Sequence, residues 1–178
     1  MFGLHPAAGN LYLRIDALTG RRVAAARSAD MIKPRLHALC LAYVQERIDA
    51  CQAAIQAAQE SANSETKSSA GDKYETGRAM AQNERDRNMV QLRQAQQLLG
   101  ELQRIQPELS CDTVRPGALA HTSMGVFYVS ISAGKLTVDG QDYFAVSAAA
   151  PVAAALAGKR VGEQVMFNGK KNVITNVE

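Results

Sequence analysis

The sequence predicts an α+β protein in which a long antiparallel helical hairpin, or coiled coil, precedes a small antiparallel β-sheet domain with one short helix. Two observations predict this fold class. In the first part of the chain, apolar residues recur at alternating spacings of three and four, which is the period of packed helices. After Pro107 the pattern changes to short apolar runs separated by glycine-containing turns, which is typical of antiparallel strands.

Composition limits the classes of protein to which this chain can belong. A length of 178 residues allows one ordinary domain or two small ones. The net charge of +3, with both signs interspersed, does not indicate a nucleic-acid-binding protein. The sequence contains neither a membrane-length apolar run nor a secretory signal, and its cysteines have no paired spacing. We therefore expect a cytoplasmic protein with free thiols at Cys40, Cys51 and Cys111.

Residues 1–30 have no clear period, and the sequence predicts a poorly ordered leader there. Leu11 to Ile15 is a candidate short strand, but no neighbouring segment is an obvious partner for it. Two interpretations remain open. The segment is either a flexible N-terminal arm or an addition to a natural chain that begins at Met31.

Residues 31–106 are predicted to form the helical hairpin. Pro34 suits the first turn of its first helix, where the missing N–H is not needed. Roughly thirty helical residues, at 1.5 Å each, would extend about 45 Å. Small polar residues from Ser61 to Gly71 indicate the turn, so the tip is expected near residues 61–75. The predicted apolar seam of the first helix is Leu41, Val44, Ile48, Cys51, Ile55, Ala58 and Ala62.

The second helix is expected to run from near Asp72 to about Ile105, with Pro107 as its stop signal. Its first half is too polar for a globular core, so we expect an exposed two-helix arm there. The predicted apolar face is Leu92, Ala95, Leu99 and Leu102, broadened by Met89, Leu98 and Ile105.

A linker over residues 107–116 is expected to precede the sheet domain, which covers residues 117–178. Asp139-Gly140 and Asn168-Gly169 are strong turn signals, and Gly158 is a C-terminal cap signal. The expected elements are a strand over 125–131, a hairpin at Asp139-Gly140, a strand over 143–147, a short helix over 151–157 and a final hairpin of 164–167 with 172–177.

The segment from Val146 to Glu163, which reads VSAAAPVAAALAGKRVGE, resembles part of the GreA/GreB family of bacterial transcript-cleavage factors. It is similar to that family's serine-proline, short helix, Ala-Leu-x-Gly-Lys and Gly-Asp pattern. The resemblance covers about residues 31–178, and the order of the two parts agrees with the family. It implies an FKBP-like C-terminal domain that binds RNA polymerase. The implied partner-binding residues are Ser147, Pro151, Leu156, Gly158, Lys159 and Gly162.

The tip also carries a family-like motif, Gly71-Asp72-Lys73-Tyr74-Glu75, which keeps the family's glycine and both acids at the same separation. The resemblance implies that Asp72 and Glu75 enter the secondary channel of RNA polymerase and hold a second Mg²⁺ at the polymerase's own active centre. Mg²⁺ takes one or two carboxylates and keeps several waters, and a second metal assists phosphodiester hydrolysis. The chain is therefore expected to have no cofactor of its own and not to be an enzyme alone.

The same resemblance implies that RNA polymerase is the partner and that nascent RNA is contacted only indirectly. The sequence shows no DNA-binding motif, and we expect no membrane association. Lys159, Arg160, Lys170 and Lys171 make the C-terminal domain locally basic. We interpret them first as solvated surface and second as contacts to an acidic patch on a partner.

Departures from the family pattern keep other functions open. Thr76, Gly77, Arg78 and Ala79 stand where the family has asparagine, alanine, glutamate and tyrosine. A regulator that binds the channel without stimulating cleavage is one alternative, and a helical-hairpin interaction module unrelated to polymerase is another. In addition, Asp-x-x-Glu at a helix start is a capping box, which explains the same two acids. Capping and metal binding do not exclude each other.

Overall fold

The computed structural model describes the backbone of residues 11–66 and 73–178, and the side chains of residues 32–64 and 76–178. Two long packed helices precede a six-stranded sheet and one short helix, which confirms the predicted α+β class. The elements are α1 (Leu11–Thr66), α2 (Lys73–Gln103), β1 (Leu119–Thr122), β2 (Gly125–Ser130), β3 (Gly134–Val138), β4 (Gln141–Ser147), α3 (Pro151–Leu156), β5 (Gln164–Phe167) and β6 (Lys170–Val177).

The helical hairpin is antiparallel, and its seam is the one that the sequence predicts. Every predicted seam residue of α1 is buried or half-buried. On α2, Ala95 and Leu102 are buried, and Leu92 and Leu99 are half-buried. The prediction that Met89 broadens this face is wrong, because its side chain is 40% exposed.

Two local features of α1 differ from the sequence prediction. The helix begins at Leu11, so Pro34 lies inside it and does not mark its start. Proline removes one backbone N–H from the helical ladder, and here the helix continues past that position. Residues 11–15 are likewise helix, not strand. The leader predicted for residues 1–30 lies partly outside the described residues, and side chains are described only from Ile32, so its order stays a prediction.

The turn of the hairpin is shorter than the serine-rich composition indicates. Ser61 to Thr66 continue α1, and the hydroxyl of Ser64 donates a hydrogen bond of 2.8 Å to the carbonyl of Ser61. A serine hydroxyl that bonds a preceding carbonyl is compatible with a helix, which is why polar composition alone overestimates the turn. The connection therefore lies between Thr66 and Lys73.

The sheet has the strand order β3-β4-β2-β1-β6-β5. Most strand pairs are antiparallel, as predicted, and the exception is β2 with β4, which are parallel. The chain leaves β2, forms β3 at the sheet edge, and returns through a tight hairpin so that β4 lies between them. Asp139 and Gly140 have φ values of 53° and 77°, which confirms the hairpin turn predicted there.

The sheet is covered on both faces. Leu119 and Tyr128 point to one face and Ala120 and Val129 to the other, as the alternation of a strand requires. The first face packs against the base of the hairpin through α1 residues such as Leu36. The opposite face packs against α3 in a second core of Val114, Ala120, Val129, Val152, Ala153, Leu156, Val165 and Ile174.

Candidate functional site

The two predicted tip acids belong to the connection between the long helices. Asp72 lies outside the described residues. Glu75 lies in the first turn of α2, which begins at Lys73, and its side chain is also outside the described part. Whether the two carboxylates point outward as metal ligands or fold back as helix caps therefore stays a prediction.

The part of the arm next to this connection is slim because small residues form its seam. Ala58 is buried, and Ala62 and Ala81 are half-buried between the helices. Alanine buries little area but permits close backbone approach. Gln59 and Arg85 join the two helices here, since the Arg85 Nη1 atom donates to the Gln59 Oε1 atom at 3.4 Å.

The surface of this slim part carries charges of both signs. Arg85 pairs with Asp86 at 3.0 Å, and Arg87 pairs with Glu84 on the next turn. These pairs are solvent-exposed, so they contribute little to stability and mainly keep the arm solvated. Arg78 is also exposed and lies three residues after Glu75, which places the two positions on the same helix face.

The base of the arm is attached to the sheet domain by polar contacts that sequence reasoning missed. Lys33 is only 4% exposed, and its Nζ atom donates to the carbonyl of Leu109 in the linker at 2.5 Å. The Arg35 guanidinium donates to both carboxylate oxygens of Asp139, at 2.5 and 2.8 Å. This contact holds the pKa of Asp139 below its usual value. The part of α1 around Lys33 and Arg35 thus binds the linker and the β3–β4 turn.

A third contact joins the same part of α1 to the centre of the sheet. The His37 Nδ1 atom lies 3.2 Å from the hydroxyl of Tyr128, whose side chain is fully buried. Burial lowers the pKa of His37, and the charge of Glu108 opposes this change. Burial also raises the pKa of Tyr128 well above that of a free tyrosine. The local sequence contains no signal for these contacts, because their partners lie far apart along the chain.

The residues implied to bind a partner are placed by α3 and its flanking loops. Ser147 ends β4, and its carbonyl accepts a hydrogen bond of 2.9 Å from the N–H of Ala150. Pro151 is exposed at the first turn of α3. Leu156 is 0% exposed and packs in the core beneath α3. Its side chain therefore fixes the helix to the sheet and is not available to a partner.

The segment after α3 is a loop whose conformation is fixed by backbone hydrogen bonds. The N–H of Gly158 donates to the carbonyl of Val114 at 2.8 Å, and the N–H of Val114 donates to the carbonyl of Lys159 at 2.9 Å. The N–H of Gly162 donates to the carbonyl of Ile174 at 2.8 Å. Gly158 and Gly162 have φ values of 72° and 86°, which L side chains rarely adopt.

Charged and apolar side chains project from this loop. The Lys159 Nζ atom lies 3.0 Å from Glu163, and this hydrogen bond lowers the pKa of Glu163, with help from the backbone N–H of Arg160. Val161 is 55% exposed between them. Lys159 is thus paired within the loop, which favours the solvated-surface interpretation for this residue.

Exposed apolar side chains also occur on the final hairpin. Met166 is 59% exposed and Val173 is 37% exposed. Gln164 pairs with Val173 and Met166 with Lys171, so Met166 and Val173 are diagonal neighbours on one face. We call Val161, Met166 and Val173 the C-terminal patch. Sequence reasoning missed it, although the alternation of β5 and β6 shows which residues turn away from the core.

Comparison of the chain with models of known protein families gives no match, and comparison with curated proteins gives none either. In the described ranges 11–66 and 73–178, no group of three or more His, Cys, Asp or Glu residues is positioned to hold a metal ion. In those ranges, too, no helix is long and apolar enough to cross a membrane.

Proposed function

We propose that this protein is a Gre-like transcription factor that binds bacterial RNA polymerase and inserts its arm into the secondary channel. At the polymerase active centre, Asp72 and Glu75 would stimulate cleavage of the transcript in backtracked elongation complexes. The protein would assist the active site of polymerase and would contact nascent RNA only indirectly.

The observation that carries this proposal is a slim helical arm anchored at its base to a small sheet domain. Cys40 packs in the core beneath the sheet, whereas Thr66 is the last residue of α1. At 1.5 Å per residue, this separation corresponds to about 39 Å. An arm of that reach delivers a pair of acids deep into a narrow channel, provided that the other end binds at the channel entrance.

The sheet domain supplies a surface for that binding. The C-terminal patch offers three exposed apolar side chains beside Arg160, Lys170 and Lys171, which are exposed as well. Exposed apolar groups with a charged rim are typical of protein interaction sites. This composition supports docking on polymerase by an FKBP-like domain, with Pro151, Gly158 and Gly162 as further exposed positions.

The chemistry proposed for the tip needs only carboxylates. Mg²⁺ binds hard oxygen ligands and retains waters, so two carboxylates from the arm would complete a site shared with polymerase. A second metal ion activates a water molecule and stabilises the leaving oxygen in phosphodiester hydrolysis.

A second candidate function is channel binding without stimulated cleavage, and Arg78 favours it. This exposed cation lies on the same helix face as Glu75, so it would compete with a metal ion for the carboxylate of that acid. This form of the protein would inhibit or modulate transcription. This second candidate function predicts that the protein binds polymerase and that replacing Asp72 and Glu75 has little effect on transcription.

A third candidate is a helical-hairpin interaction module unrelated to polymerase. Affinity purification of the full chain from cell extract separates it from the first two, since both of these require polymerase subunits as the main partner. Recovery of other proteins without polymerase would favour this third candidate.

The decisive experiment measures cleavage rates in a purified backtracked elongation complex. Wild-type protein is expected to accelerate cleavage, and D72N/E75Q is expected to lose the acceleration while still binding polymerase. The matched control is E84Q/D86N, which removes two acids from the same helix at exposed positions further from the tip. No acceleration by the wild type would contradict cleavage stimulation, and equal loss in both variants would contradict a specific role of the tip acids.

A further inference from the structure

A large groove lies where the arm meets the sheet domain, away from the tip and from the C-terminal patch. Its volume is about 1010 Å³, and one wall consists of the last turns of α2. The other wall includes Ser130 and Ser147, the last residues of the adjacent parallel strands β2 and β4. We call it the junction groove. Crevices at the carboxyl ends of parallel strands are common ligand sites, and this one has the size of a small-molecule site.

We propose that the junction groove binds an organic phosphate of nucleotide size. Arg47, Arg104 and Arg115 line it, against one acid, Glu101. Within the described part of the chain, the side chains of Arg104 and Arg115 form no ion pair. Guanidinium groups bind phosphate oxygens in a bidentate manner, so this excess of positive charge suits a phosphate.

Hydroxyl groups line the same groove. Ser130 is only 6% exposed, and its Oγ atom lies 3.7 Å from the Cys40 Sγ atom, which is a weak contact for a hydroxyl. The Ser132 Oγ atom accepts a hydrogen bond of 3.3 Å from the N–H of Ser147, which leaves the hydroxyl proton of Ser132 able to donate. A phosphate group would receive hydrogen bonds from these hydroxyls as well as from the arginines.

An apolar wall completes the site. Leu98 in α2 and Ile105 just after its end are half-buried, and Leu109 in the linker is 51% exposed. Ligand sites usually combine such apolar surface with a few polar groups that fix orientation. The flat ring of a nucleoside would pack on these side chains while its phosphates reach the arginines.

A small anion fits this groove better than an acidic peptide. An extended peptide gains much of its affinity by pairing its backbone with a free strand edge. Here β2 lies between β4 and β1, and β4 lies between β3 and β2, so neither strand offers a free edge to the groove. The buried hydroxyl of Ser130 instead provides a single donor atom, which suits a compact oxyanion.

The test is calorimetric titration of the full chain with ATP, AMP and pyrophosphate. Wild-type protein is expected to bind ATP more tightly than AMP, because more phosphate oxygens meet the arginines. R104A/R115A is expected to weaken ATP binding at least about tenfold. The matched control is R87A/R93A, which removes two exposed arginines of α2 outside the groove and is expected to bind as the wild type does. Unfolding midpoints establish that each variant is folded. If R104A/R115A is not folded, the single variant R104Q takes its place.

Three outcomes would overturn the proposal. One is that wild-type protein binds neither ATP nor pyrophosphate. Another is that the control variant loses as much affinity as R104A/R115A, which would mean attraction to the general positive charge. The last is that a glutamate-rich peptide binds in an arginine-dependent manner while ATP does not, which would assign the groove to an acidic protein segment. All of these measurements use the protein alone, so they do not depend on the polymerase proposal.

Discussion

The base and the distal part of the arm use the same two helices in different ways. At the base, large side chains such as Leu36, Leu102 and Tyr128 are fully buried between the helices and the sheet. In the distal part, alanines form the seam, and exposed charges cover the outside. Since stabilisation follows the apolar area removed from water, the base anchors the arm and the distal part mainly extends it. The arm is thus well packed at its base, where it is attached to the sheet domain, and slim in the distal part, which a channel would enclose.

The largest expected effect comes from truncating one large side chain at the base. Leu102 is 0% exposed, so Leu102→Ala should lower the free energy of unfolding by about 2–5 kcal/mol through lost burial and a cavity. Ile55→Ala, at a half-buried position of the distal seam, should cost only about 1 kcal/mol. Urea denaturation measures both. Equal losses would contradict the contrast between base and distal arm.

The buried lysine at the base should give the next largest effect. Lys33→Met keeps an apolar stem but leaves the carbonyl of Leu109 without its charged donor. A hydrogen bond from a charged donor contributes about 1.5–3 kcal/mol, so the urea midpoint should fall accordingly. Lys135→Met is the matched control, because Lys135 makes an exposed ion pair with Asp142. A control that loses as much stability would argue against a special role for the buried contact.

Replacing either of two glycines that lie in open space by alanine should change the stability of the protein, in opposite directions for the two positions. Gly162 has a φ of 86° in the loop after α3, so Gly162→Ala should destabilise the protein by about 1 kcal/mol. Gly100 lies within α2, where an added Cβ meets no atom within 4 Å. Gly100→Ala should therefore stabilise the protein by about 0.5–1 kcal/mol. Thermal unfolding would show shifts in opposite directions, and two shifts of the same sign would contradict the assigned conformations.

The smallest expected effect is a pH dependence at the base. Because burial lowers the pKa of His37, the folded protein disfavours the charged imidazole. The stabilising contribution is complete above the unfolded-state pKa of about 6.5 and is lost as the pH falls through the lower folded-state value. Stability should therefore decline between about pH 7 and pH 5, and His37→Gln should reduce this slope. An unchanged slope in the variant would assign the pH dependence to other groups.

The sequence predicts the features that depend on local chemistry. The seam of α1 follows from its apolar spacing, and the β3–β4 turn follows from Asp139-Gly140. The α3 helix and its capping glycine likewise follow from Pro151 and Gly158. In each case neighbouring residues decide the conformation.

Features that depend on distant partners could not be predicted in the same way. The parallel pairing of β2 with β4 joins segments that are separated by a hairpin, and neither strand's composition encodes its neighbour. The bond between Arg35 and Asp139 joins a helix to a turn that is distant in sequence. For the tip, Asp72 and the side chain of Glu75 lie outside the described residues, so their role rests on resemblance and on position in the chain.

We propose that the length of the arm brings Asp72 and Glu75 to the active centre of polymerase. Deleting residues 52–58 of α1 and 86–92 of α2 removes matched segments, since Gln59 faces Arg85. Seven residues from each helix shorten the reach by about 10 Å while keeping both acids and the sheet domain. The shortened protein should bind polymerase as the wild type does but should not accelerate cleavage of backtracked transcripts. Cleavage at the wild-type rate by the shortened protein would contradict the claim.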